Sequence, residues 1–250
     1  MCMIKAPIVM KQNPLILAEF QKAFSEVDHD LLNALLHIMQ NEHRLDGQKV
    51  TLFNYEKITE RKVIIPASRL KELGKFGVNA NQKIYESLKK IRDTSATIRN
   101  FTDIDGKRVK AKTVAIIDNV TWLEEGSLID GREQGFEIQY NEWFLQVSTR
   151  QFNAKVGNYT NIEIQTVSSL KSRHAKRLYE ILDRQKSTNP EFSMSYDRAK
   201  VLFNMKESAF SNIAQTIKRI APKVNALIAF EYETHKKDKL FTFKILDVKK

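Results

Sequence analysis

The chain has little of several residue types, and each scarcity narrows the classes of protein it can belong to. Its one cysteine, Cys2, cannot form an internal disulfide, which fits a reducing compartment such as the cytoplasm. With only eight glycines and five prolines and no low-complexity run, the chain is expected to be ordered except at its ends. No apolar run reaches the roughly 18 residues of a membrane span, and the first apolar segment is too short for a secretory signal.

Catalytic and metal-binding motifs are missing as well. The five histidines contain no His-x-His pair, which a rolling-circle relaxase or nuclease needs beside its nucleophilic tyrosine. No Gly-x-x-x-x-Gly-Lys-Ser/Thr phosphate loop occurs, which argues against an ATP-hydrolysing helicase. His29 and His37 can share a helix face but lack a third ligand, and turn chemistry explains Asp103 and Asp105. We therefore expect no enzyme activity, no metal and no cofactor.

Positive charge is what the chain has in excess. Its 41 Lys and Arg against 30 Asp and Glu give a net charge of +11 and a pI of about 9.6. Such an excess on a folded chain indicates a polyanionic partner, chiefly nucleic acid. An anionic membrane is the alternative, but no basic amphipathic helix with Trp and Phe on one side is found. A length of 250 residues with 42% hydrophobic content allows two packed domains.

One stretch, Ser208–Ala221, is predicted to be a helix that enters DNA. Ile213, Ile217 and Ile220 are spaced i, i+4 and i+7, which places them on one apolar stripe. The remaining surface carries amides and long cations, which can pair with adenine and guanine edges and hold phosphates. The alternative is an ordinary amphipathic helix with a solvated face.

This stretch has a counterpart 129 positions earlier. Asp197–Leu202 aligns without a gap on Ser68–Leu73, and Ile213–Ile220 aligns on Ile84–Ile91. Each copy is predicted to contain a short helix, a turn, a longer basic helix, a strand, a turn and a strand. That order is typical of a helix-turn-helix followed by a β-hairpin wing. The last aligned pairs are Leu227 with Ile98 and Phe230 with Phe101.

The repeat predicts an α+β fold of two tandem winged-helix domains. Residues 1–150 form the first domain and residues 151–250 form the second. The first copy has a basic helix, Asn79–Asp93, and a wing made by Ala96–Phe101 and Lys107–Val120. The second copy ends in a hairpin with the basic tip His235–Lys239.

The residues predicted to contact DNA belong to both copies. In the first they are Asn81, Lys83, Ser87, Lys90, Lys107 and Arg108; in the second they are Arg173, Arg177, Ser211, Asn212, Gln215, Lys218, Arg219, Lys236, Lys237 and Lys239. Two of these have an open alternative. Arg173 and Arg177 follow a predicted helix start near Ser172, where cations are unfavourable unless an anion such as a phosphate is bound. Arg177 can instead pair with Asp183 or another local carboxylate.

Smaller signals in the first half give further expectations. We predict a strand at Ile8–Met10, a turn at Asn13-Pro14, a helix Asp28–Glu42 with Asp28 as N-cap, and a strand at Val50–Tyr55. A short helix, Ala67–Leu73, is expected to be closed by Gly74 in the left-handed conformation.

The segment Thr121–Val147 reverses the sign of the charge. It carries six acidic residues against one arginine, a net charge of −5, and both tryptophans, Trp122 and Trp143, in apparent strands. An acidic, aromatic sheet is a poor surface for DNA. It is a candidate for a protein contact, most of all in a dimer, or for the back wall of the domain.

Three segments resemble the iteron-binding replication initiators (Rep proteins) of theta-replicating bacterial plasmids. They are Lys11–Ala18, Leu170–Leu182 with its Ser-Arg-x-Ala-x-Arg-Leu-Tyr-Glu run, and the helix within Phe210–Asn225. The resemblance spans roughly residues 10 to 248, with His174 at a position where the family often has an aromatic residue.

The resemblance implies a sequence-specific binder of double-stranded DNA. It implies monomers on direct repeats at the origin, opening of an AT-rich stretch, and recruitment of the host replication initiator and replicative helicase. It also implies that the first domain, residues 1–150, binds DNA and forms most of a homodimer, which is in equilibrium with the monomer, binds an operator and represses its own gene. It implies that the second domain, residues 151–250, is the main DNA-reading domain. In the family, base readout is mainly by the second domain, and the resemblance makes Gln215 and Arg219 the candidates for base readout in this chain. The alternative is a winged-helix transcription regulator, for which a single palindromic operator is expected.

Overall fold

A computed structural model describes residues 7–41, 44–45, 48–49, 61–103, 105–124, 134–149, 157 and 159–246. The fold is mixed α+β. Its helices are α1 Asn13–Ile16, α2 Glu26–Asn41, α3 Ala67–Gly74, α4 Asn81–Arg92, α5 Glu142–Val147, α6 Ile164–Ser169, α7 Arg173–Lys186, α8 Tyr196–Leu202 and α9 Phe210–Asn225.

Within the described residues the strands pair antiparallel, in five small sheets. The strands are β1 Ile8–Gln12, β2 Glu19–Phe20, β3 Arg44–Leu45, β4 Gln48–Lys49, β5 Lys62–Pro66, β6 Ser95–Thr102, β7 Arg108–Ala115, β8 Ile117–Leu123, β9 Gly135–Tyr140, β10 Tyr159–Glu163, β11 Glu191–Ser195, β12 Phe230–His235 and β13 Leu240–Ile245. The sheet orders are β1-β10, β2-β6-β7, β3-β4, β5-β9-β8 and β11-β13-β12.

The beginning of the chain forms more helix than predicted. The strand expected at Ile8–Met10 is confirmed as β1, but Asn13-Pro14 opens the one-turn helix α1 instead of a turn. Proline suits a first helical turn, because its missing N–H would have had no partner there. The N-cap of α2 is Ser25 and not Asp28: Ser25 N donates to Asp28 Oδ2 (2.6 Å) and Asp28 N donates to Ser25 Oγ (3.2 Å). This reciprocal pair is a capping box.

In the first helix pair, α3 and α4, the left-handed residue is Lys75 (φ 53°), not Gly74 as predicted. Gly74 is still helical, and its lack of a side chain has a different effect. A Cβ at this position would clash with the ring of Phe76, so the glycine permits the close approach of that ring. The strand predicted at Val50–Tyr55 lies outside the described residues.

The two short helices, α3 and α8, end in the same way, 129 positions apart. Lys75 and Asn204, with φ of 53° and 50°, both adopt the left-handed conformation that closes a helix. The matching main-chain bonds run from Lys75 N to Glu72 O (3.3 Å), Phe76 N to Lys71 O (2.9 Å), Asn204 N to Val201 O (3.1 Å) and Met205 N to Lys200 O (2.8 Å).

The long helices also match on their buried faces, up to a point. Ile84, Leu88 and Ile91 of α4 and their counterparts Ile213, Ile217 and Ile220 of α9 are all buried. The next aligned pair does not match: Ile98 is buried in β6, whereas Leu227 lies in a turn and is 40% exposed. The reason is that α9 continues through Pro222 to Asn225, so Pro222 does not end the helix. The last pair does match, because Phe101 in β6 and Phe230 in β12 are both buried in a hairpin strand.

The first hairpin, β6–β7, has the predicted turn, in which Gly106 has φ 78° and Asp103 N donates to Lys107 O (2.8 Å). Its returning strand is shorter than predicted. It ends at Ala115, and after Ile116 the chain enters β8, which pairs with β9 in another sheet.

The tryptophans both pack within the first half. Trp143, expected in a strand, is on a helix: β9 ends at Tyr140, and Asn141 then caps α5 by accepting from Phe144 N (3.3 Å). Its ring lies edge-on to Phe101 at 5.3 Å. Trp122 lies in β8 as predicted and packs on Tyr85 (5.4 Å) and Phe136 (5.9 Å).

The two halves of the chain meet in a packed seam. Strand β1 pairs with β10 along its whole length, and α7 is buried on nearly all sides, although its sequence is strongly amphipathic. Its charged residues have buried partners. Lys11 Nζ donates to Glu180 Oε1 at 2.8 Å, Asn33 Nδ2 donates to the same oxygen at 3.3 Å, and Lys176 pairs with Asp30. Residues 7–41 therefore contact residues 159–186 across the predicted domain boundary at residue 150. The boundary itself stays a prediction.

Candidate nucleic-acid interface

The outer face of α9 is free for a ligand. Three isoleucines hold the inner face in the core, and the predicted polar residues are exposed on the opposite side. Within the described part of the chain, these side chains make no hydrogen bond or ion pair. They are Ser211, Asn212, Gln215, Lys218 and Arg219. Amides and cations without internal partners are suited to contacts with base edges and phosphates.

The second hairpin, β12–β13, carries three exposed lysines at its tip, Lys236, Lys237 and Lys239. The tip is held in place by the helix pair, because Tyr196 N donates to Lys239 O (2.8 Å) and the Lys239 ammonium lies 6.0 Å from the Tyr196 ring. The cationic tip is thus attached directly to the start of α8. This arrangement suits a phosphate contact beside the helix pair.

His174 lies half-buried near α9. Its ring meets Phe203 edge-to-face at 5.9 Å and Arg173 Nε donates to its Nε2 (3.2 Å). Burial lowers the pKa of His174 to about 4, and the charges of Arg173 and Arg219 add to this lowering. The imidazole is therefore neutral at pH 7 and fills the site as an aromatic ring would. Arg173 remains partly exposed beside it.

Arg177 does not face DNA. Its guanidinium is buried, donating from Nη2 to Ala18 O (2.6 Å) and from Nε to Leu202 O (3.3 Å), with Nη1 3.7 Å from Glu180 Oε2. The predicted phosphate contact is wrong, and the alternative of a carboxylate partner is confirmed, with Glu180 in place of Asp183. The reason is that α7 packs against both halves of the chain and has no exposed side at this residue.

Helix α4 presents fewer free groups than predicted. Lys83 is exposed, but Ser87 is buried and its hydroxyl donates to Asp28, so its predicted outward position is wrong. Lys90 donates to Asp28 Oδ2 at 2.7 Å, and Asn81 Nδ2 donates to Gln134 Oε1 at 2.7 Å. These groups already have partners within the chain.

Asp28 is the acid that occupies this face of α4. Burial alone would raise the pKa of Asp28, but hydrogen bonds from Lys90, Ser87 and Ser25 outweigh it, and the pKa is lowered. The carboxylate therefore stays charged and holds Lys90 in place. The exposed stripe of α4 consists instead of Gln82, Lys83, Glu86 and Lys89. The i, i+7 spacing of Gln82 and Lys89 in the sequence could have indicated that they share this face.

Lys107 and Arg108 lie on the first hairpin and are exposed, as predicted, with the exposed Lys110 beside them. Lys112 lies 4.2 Å from the centre of the Trp143 ring and is held by it. Among the described residues, no cluster of three or more His, Cys, Asp or Glu is arranged to hold a metal ion. Within the same residues, no helix has the length and apolar character needed to cross a membrane.

Two helix pairs, each followed by a hairpin with exposed cations, are typical of a nucleic-acid-binding protein. Sequence comparison gives the family. Residues 8–183 match the family described as "Initiator Replication protein, WH1". Because the match covers most of the chain, the chain belongs to this family of replication initiators, and the resemblance drawn from the sequence is confirmed. No curated protein matches the chain.

Solved structures show the same fold. The chain is similar to the Pi initiator protein, solved in complex with iteron DNA, with 14% identity over 98% of this chain and 99% of that chain and a TM-score of 0.57. It is also similar to domains 2 and 3 of RctB, with 9% identity over 86% of this chain and 80% of that chain and a TM-score of 0.50.

Proposed function

We propose that this replication initiator binds iterons, direct repeats in the origin of a plasmid, through both helix pairs. The observation that carries the proposal is the outer face of α9, where Gln215, Lys218 and Arg219 are exposed and unpartnered among the described residues. Membership of the initiator family supports it, as does the iteron DNA bound in the similar Pi structure. Bound monomers then promote opening of the adjacent AT-rich DNA and recruit the host initiator and replicative helicase.

The chain is proposed to contain two tandem winged-helix domains, 1–150 and 151–250. The first helix pair and hairpin are α3, α4 and β6–β7, and the second are α8, α9 and β12–β13. Support comes from the matching helix ends at Lys75 and Asn204 and from the matching buried faces of α4 and α9. The seam formed by β1, β10 and α7 holds the two units at a fixed spacing, as simultaneous reading of one duplex requires.

A homodimer is proposed as the second state of the protein. The acidic segment Thr121–Val147 is its candidate surface, since β5 and β8 are the edge strands of the sheet that this segment helps to build. The dimer would bind an operator and repress the protein's own gene. Monomer and dimer would both act in the cytoplasm, and both would act by binding DNA and not by catalysis. Adding a lysine on the β8 edge, at the exposed Thr121, should raise the monomer fraction in sedimentation; an unchanged dimer fraction would refute this surface.

Footprinting on the DNA that flanks the gene tests the proposed function. We expect several protected direct repeats, each about two helical turns long, and a separate operator. A single palindrome with no repeats would favour a transcription regulator instead. We expect no metal-dependent nicking of supercoiled plasmid. If nicking is observed, the protein is an enzyme.

A further inference from the structure

A cavity of about 320 Å³ opens at the seam, on a part of the surface that no DNA-reading residue lines. Its volume falls at the lower end of the roughly 300–1,000 Å³ of small-ligand pockets. Its polar lining is basic and comes from four different elements or their ends. The lining residues are Asn13, Pro14, Leu17, Arg99, Asn100, Arg184 and Arg198.

Three arginines meet here with one carboxylate among the described residues. Glu19 accepts from Arg99 through both oxygens (2.7 and 3.4 Å) and from Arg198 Nη1 (3.4 Å). Arg198 Nη2 also donates to the carbonyl of Leu17 (3.0 Å). One negative charge is thus shared by two guanidinium groups, which leaves a net positive charge even before Arg184 is counted.

Arg184 has no carboxylate partner within the described residues. Its Nη1 donates to the neighbouring amide oxygen of Gln185 (3.1 Å), and its Nε is buried without a hydrogen-bond partner there. Burial lowers the pKa of Arg184, and the charge of Arg198 lowers it further. A buried donor without an acceptor is costly, so an acceptor from outside would stabilise this arrangement.

The chemistry of the missing acceptor follows from the donors. Guanidinium groups present planar forks that match the oxygens of phosphate in bidentate hydrogen bonds. Asn13 and Asn100 also line the cavity, and Asn100 has a left-handed backbone (φ 51°), an uncommon conformation for a non-glycine residue inside a strand.

Two neighbouring cavities share lining residues with this one. Asn100 is shared with a second cavity lined by Arg108 and Lys110 of the first hairpin. Leu17, Arg184 and Arg198 are shared with a third, which runs along β11. The central cavity therefore lies between the first hairpin and the second helix pair.

We propose that the cavity lined by Arg99, Arg184 and Arg198 is a phosphate-binding site at the seam between the two halves. The phosphate comes either from a free phosphate compound or from the backbone of DNA that reaches past the two reading helices. A ligand here contacts β6, α7 and α8 at once, so its binding stabilises the arrangement of the two halves.

The test uses the full chain and the variant Arg184→Gln, since Arg184 has no carboxylate partner that the change would leave unpaired among the described residues. Arg61→Gln is the control for the loss of one arginine charge, because Arg61 is partly exposed (33%), pairs with Asp118 and lies outside the cavity. Binding of pyrophosphate is measured by calorimetry at constant ionic strength, and binding of a duplex of unrelated sequence is measured over a range of salt concentrations.

If the source is a free phosphate compound, pyrophosphate binds the wild type and Arg61→Gln alike and about tenfold more weakly to Arg184→Gln. If the source is DNA, pyrophosphate does not bind, but Arg184→Gln lowers the affinity for unrelated duplex and reduces the salt slope by about one, and Arg61→Gln does not. Equal behaviour of both variants in both assays overturns the site. Repeat-specific binding that persists in both variants would leave the proposed iteron function intact in that case.

Discussion

The two long helices, α4 and α9, bury the same isoleucine and leucine pattern but use their other faces differently. On α4, Ser87 and Lys90 are bound to the buried carboxylate of Asp28. On α9, Gln215 and Arg219 have no hydrogen-bond or ion-pair partner in the described structure. The hairpins differ as well: β6–β7 pairs with β2, whereas β12–β13 is joined by β11 from its own helix pair. A repeated pattern of buried residues can therefore support one helix that anchors the core and one that reads a ligand.

The largest effect is expected where the two halves are joined. Glu180→Gln removes the one carboxylate that Lys11 and Arg177 share in the seam, and leaves two buried cations with a neutral partner. Breaking a buried ion pair from one side costs about 3–5 kcal/mol, so we expect a large drop in the free energy of unfolding. Urea denaturation measures it. Glu72→Gln, an exposed acid on α3, is the control, and equal losses for both variants would contradict the role of the seam.

The contrast between the reading faces predicts the next largest effect. Gln215→Ala and Arg219→Ala should each cost roughly 1–3 kcal/mol on the cognate repeat and little on random duplex. Lys83→Ala on α4 should cost less, and equally on both DNAs, because a lone lysine contacts phosphates without reading bases. Competition binding at one salt concentration compares the variants. A loss of specificity in Lys83→Ala alone would show that α4 is the reading helix.

A comparison of Lys90→Ala with Lys83→Ala distinguishes a residue of α4 that anchors the core from one that contacts DNA. Lys90→Ala leaves the Asp28 carboxylate, whose side chain is 3% exposed, without its ion-pair partner, and we expect a loss of about 1 kcal/mol in stability. The estimate is at the low end because Lys90 is 35% exposed. Lys83→Ala should leave the melting temperature unchanged. If the two variants melt together, the anchoring role of Lys90 is wrong.

The smallest effect concerns pH. Since the pKa of His174 is lowered from 6.5 to about 4 in the folded protein, the unfolded chain takes up a proton first, and stability falls as pH drops from 6.5 towards 4. His174→Phe should remove this part of the loss, about 1 kcal/mol at pH 5 for a half-buried group. Melting temperatures at pH 7 and pH 5 give the difference. His29 is retained in both proteins, so an identical pH dependence would rule out a contribution from His174.

Local patterns were enough to predict the parts of the fold that depend on near neighbours. The spacing of Ile213, Ile217 and Ile220 predicted the buried face of α9, and Ser172 was correctly placed at the start of α7, where it accepts from Ala175 N (3.4 Å). The glycine at 106 marked the hairpin turn. Each of these depends on residues within a few positions of one another.

The errors at the candidate site come from distant partners. Helical spacing placed Ser87 and Lys90 on the side opposite the apolar stripe, but it carries no information on Asp28, about 60 positions earlier, which covers that side. The same applies to Arg177, whose carbonyl partner Ala18 is 159 residues away. A periodic pattern defines the faces of a helix and not what packs against them.

The pairing of β1 with β10 has a consequence for how the protein is made. Lys11 is buried in the finished fold, and its partner Glu180 follows 169 residues later in the chain. At a synthesis rate of about 5–20 residues per second, the first strand waits on the order of ten seconds for the segment that completes its sheet. Until β10 is made, the edge of β1 that pairs with it has no partner strand, and such unpaired strand edges are surfaces that chaperones bind. Helix α9, the proposed DNA-reading helix, is synthesised only after this pairing has become possible.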